Sequence, residues 1–161
     1  MGTPLSKNAE SVRLALSQKG LTCKVVELEA TTRTATDAAA AIGCEVGQIV
    51  KSLLFRTRQK QMPILILVSG KNRVEEKTIE KVIGEKIEKA DADFTRRVTG
   101  FAIGGIPPVG HKQQIAHAYI DKDILDYDTV WAAAGTPFAV FSLPSAALSK
   151  IVNGHIIQLA K

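Results

Sequence analysis

Aromatic residues are scarce in this chain, with one Trp, two Tyr and five Phe among 161 residues. Single-stranded nucleic acid bound by base stacking wants more aromatic faces than that. Any nucleic-acid contact is therefore expected to run through phosphates, with a confined pocket for one end. Cysteine is equally sparse: Cys23 and Cys44 form no CxxC pair. That excludes a disulfide scaffold and fits reduced thiols in a cytoplasmic protein. The three histidines, His111, His117 and His155, have no carboxylate or cysteine at zinc-like spacing, so neither a metal site nor a cofactor is expected. The longest apolar run, "PILILV" at 63–68, is far too short to cross a bilayer. The opening "MGTPLSKNAESV" lacks the basic and apolar regions of a secretory signal. Its fit to a myristoylation pattern, without a second anchor signal, reads as chance. No membrane or DNA partner is expected.

Motif absences narrow the chemistry further. No G-x-S-x-G occurs, and "LVSGK" is not a nucleophile elbow. "SGKNR" (69–73) ends an apolar strand, but it lacks the first glycine of a phosphate-binding loop and carries Asn72 where Ser or Thr is needed. A nucleotide triphosphate site is rejected. Lys71 and Arg73 remain candidates for RNA phosphate contact, against the plainer reading of a solvated loop.

What is present is an ordinary globular composition, 45% apolar and 23% charged, with 21 Lys and Arg against 16 Asp and Glu. The net charge of +5 favours an anionic partner such as RNA. Helical spacing over 6–19, with Ser6 as cap, and over 34–43, capped by Thr34 or Thr36, predicts two helices. Further helices are expected over 74–83, over 91–99 from Asp91, and over 144–153 from Pro144. Strands are expected at 23–29, 48–58, 62–70, 115–121, 129–135, 138–143 and in "HIIQLA" from His155, with 48–58 and 62–70 forming a hairpin. The strands cluster in pairs without β-α-β alternation. The fold class expected is α/β: a single compact domain, 1–161, around a central mixed, largely antiparallel sheet with short flanking helices.

Two features invite function. Lys51 interrupts the apolar "QIVKSLLF", as an edge-strand lysine or as an ammonium held in a cleft to grip a phosphate. The second is "GFAIGGIPPVGH" (100–111), which has four glycines and two prolines in twelve positions. It reads either as a tight surface crossing or as a loop whose main chain meets a substrate. Glycines without Cβ let a ligand approach backbone groups, and prolines limit how far those groups wander. Such a loop can stabilise an oxyanion with no catalytic side chain.

"IVKSLLF", "LVSGKNRVEEK", "TGFAIGGIPPVGH" and "VWAAAGTPFAVFSL", in this order, resemble the YbaK family of aminoacyl-tRNA deacylases, relatives of the editing domain in bacterial prolyl-tRNA synthetases. The likeness covers nearly the whole chain. It implies a barrel-like mixed sheet and hydrolysis, in trans, of the ester joining a wrong small amino acid to tRNA, with tRNA(Pro) or a related tRNA as carrier. The partners implied are aminoacyl-tRNA at its acceptor end and an aminoacyl-tRNA synthetase. By position, Lys51 matches the lysine that contacts the terminal adenosine. Gly104, Gly105 and Pro108 match the Gly-x-x-x-Pro loop facing the scissile ester, with Ile106, Pro107 and Gly110 as its neighbours. His111 falls where relatives carry Gln or His, and Ala134, Gly135 and Thr136 match the loop that walls the pocket. Thr34 stands about where the cysteine-specific branch has a pocket phenylalanine, Pro107 replaces a serine, and Val140 replaces an aspartate. These departures argue against Cys-tRNA(Pro) as the substrate. Alternatives to the trans-editing hydrolase are a non-catalytic tRNA- or synthetase-binding module and a small-molecule hydrolase.

Overall fold

The computed structural model describes residues 5–29 and 34–159. The start of the "MGTPLS" stretch and the end of "HIIQLA" at Ala160 lie outside the described residues. Helix starts follow the capping chemistry where Ser6, Thr34 or Asp91 precedes them. In α1 (Lys7–Gln18) the Ser6 hydroxyl accepts from the Ala9 N–H at 3.2 Å, and Ala9, Val12 and Leu16 are buried. Leu14 stays largely exposed. Strand β1 (Val25–Glu27) leads to α2 (Ala35–Ile42), where Thr34 Oγ1 accepts from the Asp37 N–H at 3.0 Å. Thr34 and not Thr36 is the cap. The polar hydroxyl satisfies a helix-end donor that has no intrahelical partner.

Next come β2 (Ile49–Thr57) and β3 (Pro63–Ser69), which form the expected antiparallel hairpin, with Leu54 opposite Leu65. Every residue of β3 from Ile64 to Ser69 is buried. Its unbroken apolar run reflects a strand covered on both faces. Leu65 and Leu67 join the core beneath α1, while Ile64, Ile66 and Val68 pack with Ile79 and Tyr119. Helix α3 (Glu76–Ile83) and α4 (Ala92–Thr99) flank β4 (Ile87–Lys89). The remaining strands are β5 (His117–Asp121), β6 (Thr129–Ala133), β7 (Ala139–Pro144) and β8 (His155–Ile157).

Two expectations need correction. The helix expected over 144–153 is a 3-10 turn at Ser145–Ala147 followed by one short α-helix, α5 (Leu148–Ile151). Pro144 ends β7 in extended backbone, and the Ser145 N–H donates to the Asp128 carbonyl, so the chain turns before a full helix can start. Strand β4 was not expected. Its three residues carry two charges, yet Ile87 is buried and Glu88 pairs with Arg56 of β2 at 2.9 Å.

The strands make one mixed sheet in the order β1-β7-β6-β2-β3-β5-β8, with β4 also on β2. Pairs β2–β3, β2–β4, β6–β7 and β1–β7 are antiparallel, and β2–β6, β3–β5 and β5–β8 are parallel. The detail that matters for function is on β2. Along the edge opposite β3, β6 pairs only with Ile49 and Val50, and β4 only with Phe55–Thr57. Among the described residues, 51–54 have no strand register partner on that edge, although the Leu54 carbonyl accepts from the Ala90 N–H at 3.0 Å. The sheet parts there, beginning at Lys51.

Candidate functional site

A cavity of about 280 Å³ fills this parting. Lys51, Ser52, Leu53 and Leu54 of β2 line it, with Trp131–Ala133 of β6, Lys89 at the end of β4 and Ala90 beyond it, Thr95 of α4, and Ile103, Gly104 and Ile106 of the glycine-rich loop. The edge-strand reading of Lys51 therefore does not hold for the strand as a whole. The stretch without a register partner is local and opens onto the cavity.

Lys51 is half-buried, and its ammonium donates to the Asn72 carbonyl at 2.8 Å. Burial pulls its pKa below the ordinary lysine value; the Arg73 and Lys89 cations add to this, and Asp121 opposes it. The ammonium thus sits where an anion is welcome and a second cation is not. Its carbonyl partner belongs to a braced loop. Asn72 Nδ2 donates to Asp121 Oδ2 at 2.9 Å and to Asp123 Oδ2 at 2.7 Å. Asp121 Oδ2 also accepts from the Ser69 N–H at 3.0 Å, and Oδ1 from the Asp123 N–H at 3.0 Å. Asp121 is fully buried. The "SGKNR" segment is therefore no phosphate loop but a frame for Lys51. Sequence reasoning missed Asp121, which reads there only as the end of an apolar strand.

The glycine-rich segment links α4 to β5. Gly104, on the cavity wall, has φ +96°, a conformation that L side chains rarely adopt. Gly105 serves a different need: a Cβ there would stand 2.9 Å from the Thr136 carbonyl carbon. The 104–105 backbone thus lies directly against the 134–136 loop, where Gly135 in turn packs against Phe101. Pro107 and Pro108 are buried. His111 Nε2 lies 2.7 Å from the Pro107 carbonyl, so the neutral ring donates and ties the loop back on itself. Burial holds the His111 pKa below its usual value, with the Pro107 contact opposing.

The expected site residues divide into groups. Lys51, Gly104 and Ile106 line the one cavity, and Gly105 lies just behind it against Thr136. Ala134, Gly135 and Thr136 support that wall without lining the cavity. Pro108, Gly110 and His111 border a different hollow of about 360 Å³, beside Gln18 and Asn153. Thr34 caps α2 next to the lining residue Ala35. Lys71 is exposed and sits 5.4 Å from the Tyr127 ring centre, whereas Arg73 is exposed within electrostatic reach of Lys51. Ser52, Thr95, Lys89 and Trp131 line the cavity but were not singled out. Strand alternation shows Ser52 on β2, yet nothing in sequence brings α4 and its Thr95 alongside.

Among the described lining residues the only titratable groups are Lys51 and Lys89. The described lining offers two ammonium groups, main-chain groups and two hydroxyls, with no carboxylate or imidazole to act as a general base. That set fits stabilising charge on an already reactive substrate.

Known proteins match this layout. Residues 29–151 fit the profile of the aminoacyl-tRNA editing domain. The uncharacterized protein YwhH of Bacillus subtilis (strain 168) is 31% identical over 144 residues, covering 88% of each chain. EbsC of Enterococcus faecalis (strain ATCC 700802 / V583), named as a candidate Cys-tRNA(Pro)/Cys-tRNA(Cys) deacylase, is 25% identical over 127 residues, 78% of this chain and 76% of that one. A crystal structure described as a candidate trans-editing enzyme for prolyl-tRNA synthetase superposes with TM-score 0.91 at 45% identity, over 98% of this chain and 99% of that one. Because the matches run through β2, the Lys51 cavity and both loops behind it, the chain belongs to the aminoacyl-tRNA editing domain family.

Proposed function

We propose that this protein is a trans-editing hydrolase that cleaves the ester between a small amino acid and a mischarged tRNA. The whole chain, 1–161, acts as one editing domain, with tRNA(Pro) or a related tRNA as carrier, a synthetase as the source of the error, and the cytoplasm as the place of action. The observation that carries the reading is the parting of the sheet at Lys51. There an ammonium and the main chain of Gly104 face one small cavity.

An aminoacyl ester is already activated. The enzyme needs to place a water and stabilise the tetrahedral oxyanion, and the Gly104 main chain on the cavity wall supplies that contact, while Gly105, whose N–H donates to the Ala102 carbonyl, holds the wall in place. The neighbouring ribose hydroxyl of the tRNA supplies the proton relay that the lining side chains lack. Lys51, fixed by Asn72, clamps a phosphate or ribose oxygen of the terminal nucleotide. Lys71 and Arg73 are exposed, where RNA phosphates can reach them.

The test is a panel of tRNAs charged with Ala, Ser, Thr, Cys or 2-aminobutyrate, given to the wild type and to Lys51→Ala. At least one ester is hydrolysed by the wild type, and Lys51→Ala lowers kcat/KM by about 100-fold, the scale of a lost charge-stabilising donor. Full activity in a folded Lys51→Ala protein would remove Lys51 from the mechanism. No hydrolysis anywhere in the panel would favour a non-catalytic tRNA- or synthetase-binding module.

A further inference from the structure

The two side-chain oxygens that are buried without a hydrogen-bond partner among the described residues are Ser52 Oγ and Thr95 Oγ1. Both residues line the Lys51 cavity. They come from separate elements, β2 and α4, and are 43 positions apart in the chain. Each hydroxyl is under 1 Å² exposed, and Thr95 as a whole is 1% exposed. A buried polar group left unpaired is costly, and natural cores rarely keep one without a use for it.

Thr95 has an easy way out that it does not take. A threonine inside a helix can donate its hydroxyl back to the carbonyl four residues earlier. One turn on, Thr99 does so, donating to the Thr95 carbonyl at 2.7 Å. Thr95 Oγ1 makes no such bond. Threonine in a helix has two accessible χ1 wells, and serine is free to change rotamer, so both hydroxyls can turn to a ligand without backbone movement.

The ligand group they suit follows from the rest of the wall. The same wall carries the apolar Leu54, Ala90 and Ile106, which cluster together, and the charges on the described lining are both positive. The α-ammonium of an aminoacyl ester gains nothing from that wall, and every aminoacyl ester carries one, so it cannot discriminate. A side-chain hydroxyl fits differently, because it can donate to one protein hydroxyl while accepting from the other.

We infer that Ser52 and Thr95 are specificity-determining residues that read a hydroxyl-bearing side chain, serine or threonine, on the ester, in preference to alanine. This rests on the deacylase reading above. A site built to hydrogen-bond a substrate hydroxyl rejects the analogue lacking it, because its own polar groups are then left unpaired.

The experiment compares kcat/KM for Ser-, Thr- and Ala-tRNA on one tRNA, using wild type, Ser52→Ala, Thr95→Val, the double variant and Thr95→Ser. Wild type favours Ser or Thr over Ala by at least about tenfold, equivalent to about 1.4 kcal/mol. The double variant brings the ratio to within about twofold of unity, and Thr95→Ser, which keeps the hydroxyl, retains the preference. Equal turnover of Ala by the wild type, or a ratio unmoved in the double variant, overturns the inference. Calorimetry with non-hydrolysable 3′-amide seryl- and alanyl-adenosine separates the two proposals. If no tRNA is hydrolysed but the seryl analogue binds more tightly and loses that margin in the double variant, the hydroxyl reading stands and the deacylase reading falls. If neither analogue binds, or both bind alike, the hydroxyl reading falls.

Discussion

Replacing Asp121 by alanine tests whether Lys51 is positioned or merely present. The carboxylate is fully buried at the end of β5 and accepts from the Ser69 N–H, Asn72 Nδ2 and the Asp123 N–H, all within 3.0 Å. Hydrogen bonds to a charged group contribute about 1.5–3 kcal/mol each. The three donors do not lose equally. Asn72 keeps its bond to Asp123 Oδ2 at 2.7 Å, and the Asp123 N–H is only part-buried and can turn to water. The Ser69 N–H is buried and keeps no acceptor. The net loss expected is about 3 kcal/mol, dominated by one orphaned buried donor. For a domain of this size that lowers Tm by about 6–12 °C. Circular dichroism melts read the stability change, and deacylation of the preferred ester at a temperature well below Tm reads the site. With the 69–73 loop loosened, the Asn72 carbonyl no longer fixes the Lys51 ammonium, and kcat/KM falls by about tenfold or more in protein that is still folded. Lys51→Ala and Asp121→Ala should be strongly non-additive in activity, since both remove one clamp. A melt within about 2 °C of wild type together with full activity would refute the bracing argument. Additive activity losses would refute the coupling while leaving the stability account intact.

How much of this was legible in the sequence depended on how local the cause was. Ser6, Thr34 and Asp91 cap helices through hydrogen bonds that span three residues, and each is readable from the few positions around it. The β2–β3 hairpin declares itself through two apolar runs and a polar link. The glycine-rich loop is legible as a place of backbone contact, but the partner of Gly105 is Thr136, thirty-one positions away, and no spacing rule reaches that far. The parting of β2 has the same origin. β6 and β4 approach it from later in the chain and stop short of each other, so the stretch without a register partner at Lys51–Leu54 is a product of topology. The grouping of loop residues fails for a related reason. Gly104 and Ile106 face the Lys51 cavity, whereas His111 is drawn back to the Pro107 carbonyl and borders the other hollow. A motif shows that residues are neighbours in the chain, and only the fold decides which wall each one joins.

Two further perturbations probe the walls separately. Gly105→Ala keeps an ordinary backbone conformation but puts a methyl 2.9 Å from the Thr136 carbonyl carbon, so it should cost about 1–3 kcal/mol by overpacking and lower deacylation with it. Unchanged Tm and activity would mean that the two loops are not held in contact. His111 gives a pH signature. Burial places its folded pKa below the unfolded value near 6.5, although the Pro107 contact opposes the shift. Below that unfolded value the unfolded chain binds the extra proton more readily than the folded one, so stability is lost as pH falls from about 6.5 toward the folded pKa. His111→Gln keeps a donor for the Pro107 carbonyl but does not titrate, so the fall in Tm between about pH 7 and pH 5 should become shallower than in wild type. The same slope in both proteins would show that the part-buried His111 ring does not make the loop acid-sensitive.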